Sequence, residues 1–392
     1  MDRYTHYSRK LVGLPYPYAV VDMELLRTNI DRIVERAGGL PVRLATKSIR
    51  CPYLIEYILN YHSTFRGLMC YDGREADYLL GIGMDDMLMG YPLVEPEVIG
   101  KLAEWSRKGR DILFMVDSPA HVDLLNDIAQ KYDTTLSVCI EIDLSDRYPG
   151  LHFGVHRSPI RSVAQFEQMV GHTRQLRYIR IAGLMGYEAQ VAGVGDAMPG
   201  KWLQNRAVHW LQQRAIRRAA ARRWEAVRKL QQLGFDDVLV NGGGTGSLES
   251  TRRDSAVTEL TAGSGFLGGT LFDGYRQFAV EPALFYGIPV VRHPAPDVYT
   301  CHGGGYTASG TVEATKGPEV YLPVGGRLDP NEGAGEVQTP VRFSPDPNLS
   351  LGDPVYLRYA KAGELLDRFG AVHLLEGDEL HTVPTYRGVI GS

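Results

Sequence analysis

The chain has 392 residues, 44% of them apolar and 22% charged, with a net charge of −4. This ordinary globular balance leaves room for a core, and the acidic sign argues against a nucleic-acid partner. The length suggests two domains, one of them a barrel of about 250 residues.

The four cysteines, Cys51, Cys70, Cys139 and Cys301, show no CxxC spacing. Neither a zinc site nor a disulfide framework is indicated, and a reducing cytoplasm fits. Residues 1–10 are polar and lack a signal-peptide core, and no apolar run approaches the roughly 18 residues of a membrane span.

In chain order, the first two thirds alternate strand and helix. Residues 18–22 (YAVVD) form a short apolar strand, and 24–38 carry apolar residues at helical spacing before Gly38 and Gly39. Segment 41–45 is the next strand, followed by a helix over 51–61, a strand over 65–70 and a helix over 72–81. The pattern repeats with a strand at 87–90 and a helix near 96–109, and strands at 112–116, 135–143, 179–185 and 237–240 continue it.

These eight candidates predict a parallel sheet with crossover helices. A closed (β/α)8 TIM-type barrel is the simplest α/β reading, with a doubly wound open sheet as the alternative. Either way, chemistry belongs at the carboxyl ends of the strands. Residues 199–234 predict a long helix with nine Lys or Arg and one acid, Glu225, read as a solvated face rather than a polyanion site.

From about residue 286 short β-like runs alternate with Gly, Pro and Asp, at 290–292, 298–301, 320–322, 336–341 and 354–358. This predicts a barrel domain over 1–285 and an all-β C-terminal domain over 286–392.

Lys47 follows the strand at 41–45. Position alone leaves it open between a solvated lysine and a nucleophile whose amine is tuned by burial. Downstream, NGGGTGS (241–247) follows a strand directly, and GSG (263–265) comes soon after Leu260. Such loops are either tight turns or an anion cup of backbone amides, with Thr245 or Ser247 adding a hydroxyl.

As a set, PYAVVDMELLRTNI (17–30), LATKS (44–48), GLMGYEAQVAGVGD (183–196), NGGGTGS (241–247), TELTAGSG (258–265), HGGGYTASG (302–310), GEVQTP (335–340) and PTYRG (384–388) resemble the alanine racemase-like, fold-type III pyridoxal phosphate (PLP) enzymes. More closely, the chain is similar to their D-threonine aldolase and D-serine dehydratase branch, in the amino acid deaminase/aldolase group. The resemblance implies that Lys47 holds PLP as a Schiff base. It implies that the phosphate sits on Gly243, Gly244, Thr245, Gly265 and the amide of Phe266, and that Tyr187 lines the cofactor. An arginine belongs near the pyridine nitrogen, and LHFGVHRSP (151–159) offers His152 or Arg157 for that place.

The chain departs from the branch at its metal. Two C-terminal positions that carry a histidine and an aspartate or cysteine in the family are here Tyr359 and Lys361. A lysine ammonium is no metal ligand and repels a divalent cation. The expectation is therefore no metal, with the Lys361 charge polarising a substrate hydroxyl and Tyr359 relaying a proton. Glu336 and Gln338 are candidates for the same pocket, and His302 opens a glycine loop that the resemblance brings toward an active site.

The implied function is a lyase for a β-hydroxy-α-amino acid, D-series, by retro-aldol cleavage or by dehydration and deamination. A racemase, with Tyr359, Lys361 or His302 as second base, and a non-catalytic PLP-binding protein are the alternatives. The resemblance also implies a homodimer.

Overall fold

The computed structural model describes residues 2–310, 313–361 and 363–391. The chain divides into two compact units, one of residues 33–47 and 55–263, the other of residues 1–32, 48–54 and 264–392.

The first unit contains a closed parallel barrel of eight strands. In order around the barrel they are Val42–Ala45, Phe65–Cys70, Met87–Met89, Ile112–Val116, Leu136–Ile142, Ile179–Gly186, Leu239–Gly242 and Glu259–Ala262. Parallel neighbours need crossover connections, and helices such as Pro52–Tyr61, Gly73–Gly81, Pro96–Arg107 and Pro119–Lys131 provide them. Leu136–Ile142 is buried at every residue, as a strand covered on both faces must be.

One expectation is corrected here. Tyr18–Asp22 is a strand but takes no part in the barrel. It pairs antiparallel with Leu284–Ala295 and parallel with Ala371–Glu376. The eighth barrel strand is Glu259–Ala262, which bonds to Leu239–Gly242 on one side and Val42–Ala45 on the other.

Closure at that seam is polar. Arg43 Nε and Nη2 bond both oxygens of Glu259 at 2.7 and 2.9 Å. Asn241 Nδ2 donates to Glu259 at 2.7 Å, and Thr261 Oγ1 donates to Asn241 Oδ1 at 3.0 Å. All four residues are buried, so each satisfied bond opposes register slip: a shifted strand would leave a charge unpaired inside.

The cationic helix Trp202–Gln232 is less solvated than its composition implies. Arg223 is buried, with Nη2 3.0 Å from Glu188 Oε2 and Nη1 paired to Asp254. Arg218 and Arg222 reach the buried Asp146 at 3.1 and 3.7 Å. Arg223 is the exception to the solvated face, since Arg217, Arg218 and Arg228 stay exposed.

The second unit is built on a nine-stranded mixed sheet. Tyr7, Tyr18, Val20, Phe285, Leu322, Tyr356 and Leu375 form its core, with the Tyr7 and Phe285 rings stacked at 4.7 Å. Burying each such side chain contributes roughly 1.5–3 kcal/mol. The hairpin of Ala371–Glu376 and Glu379–Pro384 was absent from the strand pattern read in the sequence.

Candidate active site

Lys47 lies in the one-turn segment Thr46–Ser48, directly beyond the barrel strand Val42–Ala45. Thr46 Oγ1 donates to the Met69 carbonyl at 3.0 Å and ties the turn to the neighbouring strand. The Lys47 side chain is exposed. Its neighbour is a phenol: Lys47 Nζ donates to Tyr91 Oη at 2.7 Å.

Tyr91 stands just past the strand Met87–Met89. Burial alone would raise its pKa, but the charges of Lys47 and Arg157 outweigh burial and hold it below the ordinary tyrosine value. Sequence reasoning missed this residue, and its one signal was its place at a strand's carboxyl end.

Arg157 completes the group. Its guanidinium lies 5.3 Å from the Tyr91 ring centre and 4.8 Å from that of Tyr187, within cation–π range of both. Arg157 Nη1 is 3.7 Å from Glu141 Oε1. Burial pushes the Glu141 carboxyl up to about 7, against the lowering effect of Arg157. The loop that carries Arg157 is pinned to the strand Leu136–Ile142 by Ser158 Oγ, which donates to the Glu141 carbonyl at 2.7 Å. His152 makes none of these contacts; its ring stacks on His156 at 3.9 Å. Of the two candidates for the pyridine-nitrogen place, the fold puts Arg157 beside Lys47's partner.

The first glycine loop follows Leu239–Gly242. Gly243 has φ +86°, a left-handed conformation that favours glycine, and a Cβ on Gly244 would lie 3.0 Å from Ala192 Cβ and 3.2 Å from Tyr187 Cε2. Thr245 and Ser247 are buried. The buried Glu188 accepts from Gly243 N and from Ser247 Oγ, each at 3.4 Å, and Arg223 neutralises it from behind. Lys47, Tyr91, Arg157, Tyr187 and Gly244 thus form one continuous series at the carboxyl ends of barrel strands.

The remaining candidates belong to the second unit. Gly265 and Phe266 lie in the buried turn Ser264–Leu267, where the Phe266 carbonyl accepts from Asn29 Nδ2 at 2.9 Å. Tyr359 follows the strand Pro354–Arg358 and is 2% exposed. Its Oη has no hydrogen-bond partner among the described residues, and burial raises its pKa. Lys361 Nζ lies 3.1 Å from Glu364 Oε1 and 3.4 Å from Ser309 Oγ. His302 ends the strand Val298–His302 opposite Gln338; both residues are exposed, as is Glu336. None of these three lines the cavity that Tyr359 and Lys361 share.

A phenol and an ammonium do not make a divalent-metal donor set, and among the described residues no three His, Cys, Asp or Glu side chains converge. All four cysteines are free and buried, and burial pushes the Cys301 thiol up to about 12, which disfavours it as a nucleophile. Among the described residues no helix is long and apolar enough to cross a membrane.

Residues 21–270 match the family model described as alanine racemase, N-terminal domain. The chain belongs to that family.

Its relatives include a D-threonine aldolase of Arthrobacter sp., 24% identical over 294 residues, which are 73% of this chain and 71% of the relative. A 3-hydroxy-D-aspartate aldolase of Paracoccus denitrificans (strain Pd 1222) is 24% identical over 301 residues, 74% of this chain and 71% of that one. Among solved structures, a D-threonine aldolase from Filomicrobium marinum superposes with a TM-score of 0.79 at 18% identity, covering 96% of each chain. A D-threo-3-hydroxyaspartate dehydratase from Delftia sp. HT23 gives 0.76 at 19% identity, covering 96% of this chain and 98% of the other. At these identities the structural likeness carries the fold.

The family member described here is a fold-type III enzyme, and its cofactor is PLP. The barrel residues fit that group. A strand-end amine stands at one end of the series, two tyrosine rings flank a guanidinium in the middle, and at the other end lies a glycine cradle that a Cβ would fill.

Proposed function

We propose that this protein is a PLP-dependent lyase for a β-hydroxy-α-amino acid of the D series, acting by retro-aldol cleavage or by dehydration and deamination. The observation that carries this reading is the Lys47–Tyr91 pair at 2.7 Å in a barrel of the alanine racemase N-terminal family. The relatives named above, two D-threonine aldolases, a 3-hydroxy-D-aspartate aldolase and a D-threo-3-hydroxyaspartate dehydratase, favour a lyase over a racemase.

In this reading Lys47 holds the cofactor, Arg157 serves its ring nitrogen, and Tyr187 lines it. Gly243, Gly244, Thr245, Gly265 and the Phe266 amide take the phosphate. When bound, PLP supplies an electron sink for the pair left at the substrate α-carbon. The Lys47 amine moves a proton to or from that carbon, and Tyr91 Oη holds the proton between steps. Lys361 supplies the charge that polarises the β-hydroxyl, with Tyr359 as its proton relay. Under the racemase alternative Tyr359, Lys361 or His302 would serve as the second base.

The same reading takes a homodimer in a reducing cytoplasm as the working form, a state that the four free cysteines suit. Full turnover by a monomer, sized by light scattering during the assay, would remove the dimer from the proposal.

The test is spectroscopic and chemical. The purified protein should show the absorbance of lysine-bound PLP, and Lys47→Ala should lose it. With D-threonine or 3-hydroxy-D-aspartate the products should be glycine, or ammonia and a 2-oxo acid. Solvent deuterium entering at the α-carbon with neither product formed would instead establish the racemase. An unchanged spectrum in Lys47→Ala would sink the assignment of that lysine.

A further inference from the structure

The second unit contains a cavity of about 580 Å3 whose lining includes Arg50, Lys361, Arg368, Arg387, Glu364 and Asp367. Four cations face two carboxylates, so positive charge is left over. Asp367 is paired with Arg50, and Glu364 lies 3.1 Å from Lys361 Nζ. The side chains of Arg368 and Arg387 have no hydrogen-bond or ion-pair partner among the described residues. Both are exposed, and both face this one cavity.

Tyr359 supplies an independent observation. It also lines the cavity, is 2% exposed, and keeps its buried Oη without a partner among the described residues. Buried hydroxyls in folded proteins nearly always find a partner. Burial keeps this phenol protonated, so what it lacks is an acceptor.

We propose that this cavity binds a small molecule through a carboxylate, with Arg368 and Arg387 meeting the carboxylate, and that binding turns the unpartnered Tyr359 Oη toward one of its oxygens. The planar guanidinium fork matches carboxylate geometry, and charge-assisted bonds of this kind are the strong ones. The two acids already in the lining moderate the field, which suits an organic acid better than a more highly charged phosphate. Tyr306 and Leu365 give the lining an apolar part for the carbon chain.

The carboxylate has two possible sources, the amino acid substrate itself or a separate acid that acts as an effector. Tyr359 and Lys361 also carry the proposed lyase roles, so the substrate arm rests on that reading, while binding itself is measured without turnover.

The holoenzyme should be titrated calorimetrically with succinate, using succinamide as the uncharged isostere and inorganic phosphate at matched ionic strength. Saturable succinate binding is expected, with succinamide and phosphate each at least tenfold weaker. The double variant Arg368→Gln/Arg387→Gln should weaken succinate binding at least tenfold, and Tyr359→Phe about threefold or more. Arg228→Gln, on the cationic helix of the other unit, should leave it unchanged. No saturable binding, equal binding of succinamide, preference for phosphate, or an unaffected double variant overturns the proposal.

Succinate that competes with the amino acid in turnover identifies the substrate as the source, while inhibition without competition identifies a separate acid. The lysine-bound PLP absorbance, recorded on every variant, reports folding and tests the barrel-site reading separately.

Discussion

The Lys47 amine donates to the Tyr91 hydroxyl at 2.7 Å, and the charges of Lys47 and Arg157 lower the Tyr91 pKa against its burial. A tyrosine easier to ionise than usual, one hydrogen bond from the proposed catalytic amine, is placed to exchange a proton with it. Tyr91→Phe is expected to keep the lysine-bound PLP absorbance and lower kcat on the order of a hundredfold. It should also flatten the alkaline limb of the pH–rate profile. Steady-state kinetics across pH check this; an unchanged kcat would reduce Tyr91 to packing.

The glycine cradle leads to a prediction about cofactor retention. Alanine at Gly243 must adopt φ +86°, a strain of about 1–2 kcal/mol, or roughly a tenfold loss of PLP affinity. Gly244→Ala should act differently, since its new methyl group must displace the Tyr187 ring or Ala192. Dialysis against graded free PLP gives both affinities, and Gly243→Ala with parental affinity would remove this loop from the phosphate site.

Glu141 gives a pH dependence whose sign can be worked out. Its carboxyl lies at 4.5 in the unfolded chain and is raised to about 7 by burial in the fold. The folded state therefore prefers the proton. The stability contributed by the protonated form is complete below about 4.5 and is lost as the pH rises through 7. Glu141→Gln should match the parent near pH 4 and exceed it at pH 8 by roughly 3 kcal/mol. Urea unfolding at the two pH values measures the difference.

At Tyr359 and Lys361 the expectation concerns metal. Dialysis against a chelator should leave turnover within about twofold, because the donors there suit no divalent ion. Lys361→Met should retain PLP and lose about tenfold or more in kcat. Full activity restored by added zinc or manganese after chelation would refute the lysine-for-metal reading.

Much of the barrel could be read along the chain, because apolar strands and amphipathic helices carry their own periodicity. Seven of the eight barrel strands lie where the pattern put them. The mistake was local. YAVVD at Tyr18–Asp22 suits a barrel strand and a mixed-sheet strand equally well, for both bury it on two faces. Glu259–Ala262 carries a charge and a threonine in four residues, which blurs the apolar pattern of a buried strand. Its polar side chains are the ones that Arg43 and Asn241 need at the seam.

The sequence by itself determined the family, the cofactor and the lysine proposed to hold it, because ordered segments and a strand-end position are properties of the linear chain. Only the tertiary structure decided that Lys47 is exposed against Tyr91, that Arg157 rather than His152 stands beside that pair, and that Arg223 reaches inward behind Glu188. Those outcomes depend on distances between residues dozens of positions apart. Local spacing carries no information about them, and burial and charge set them once the strands have closed.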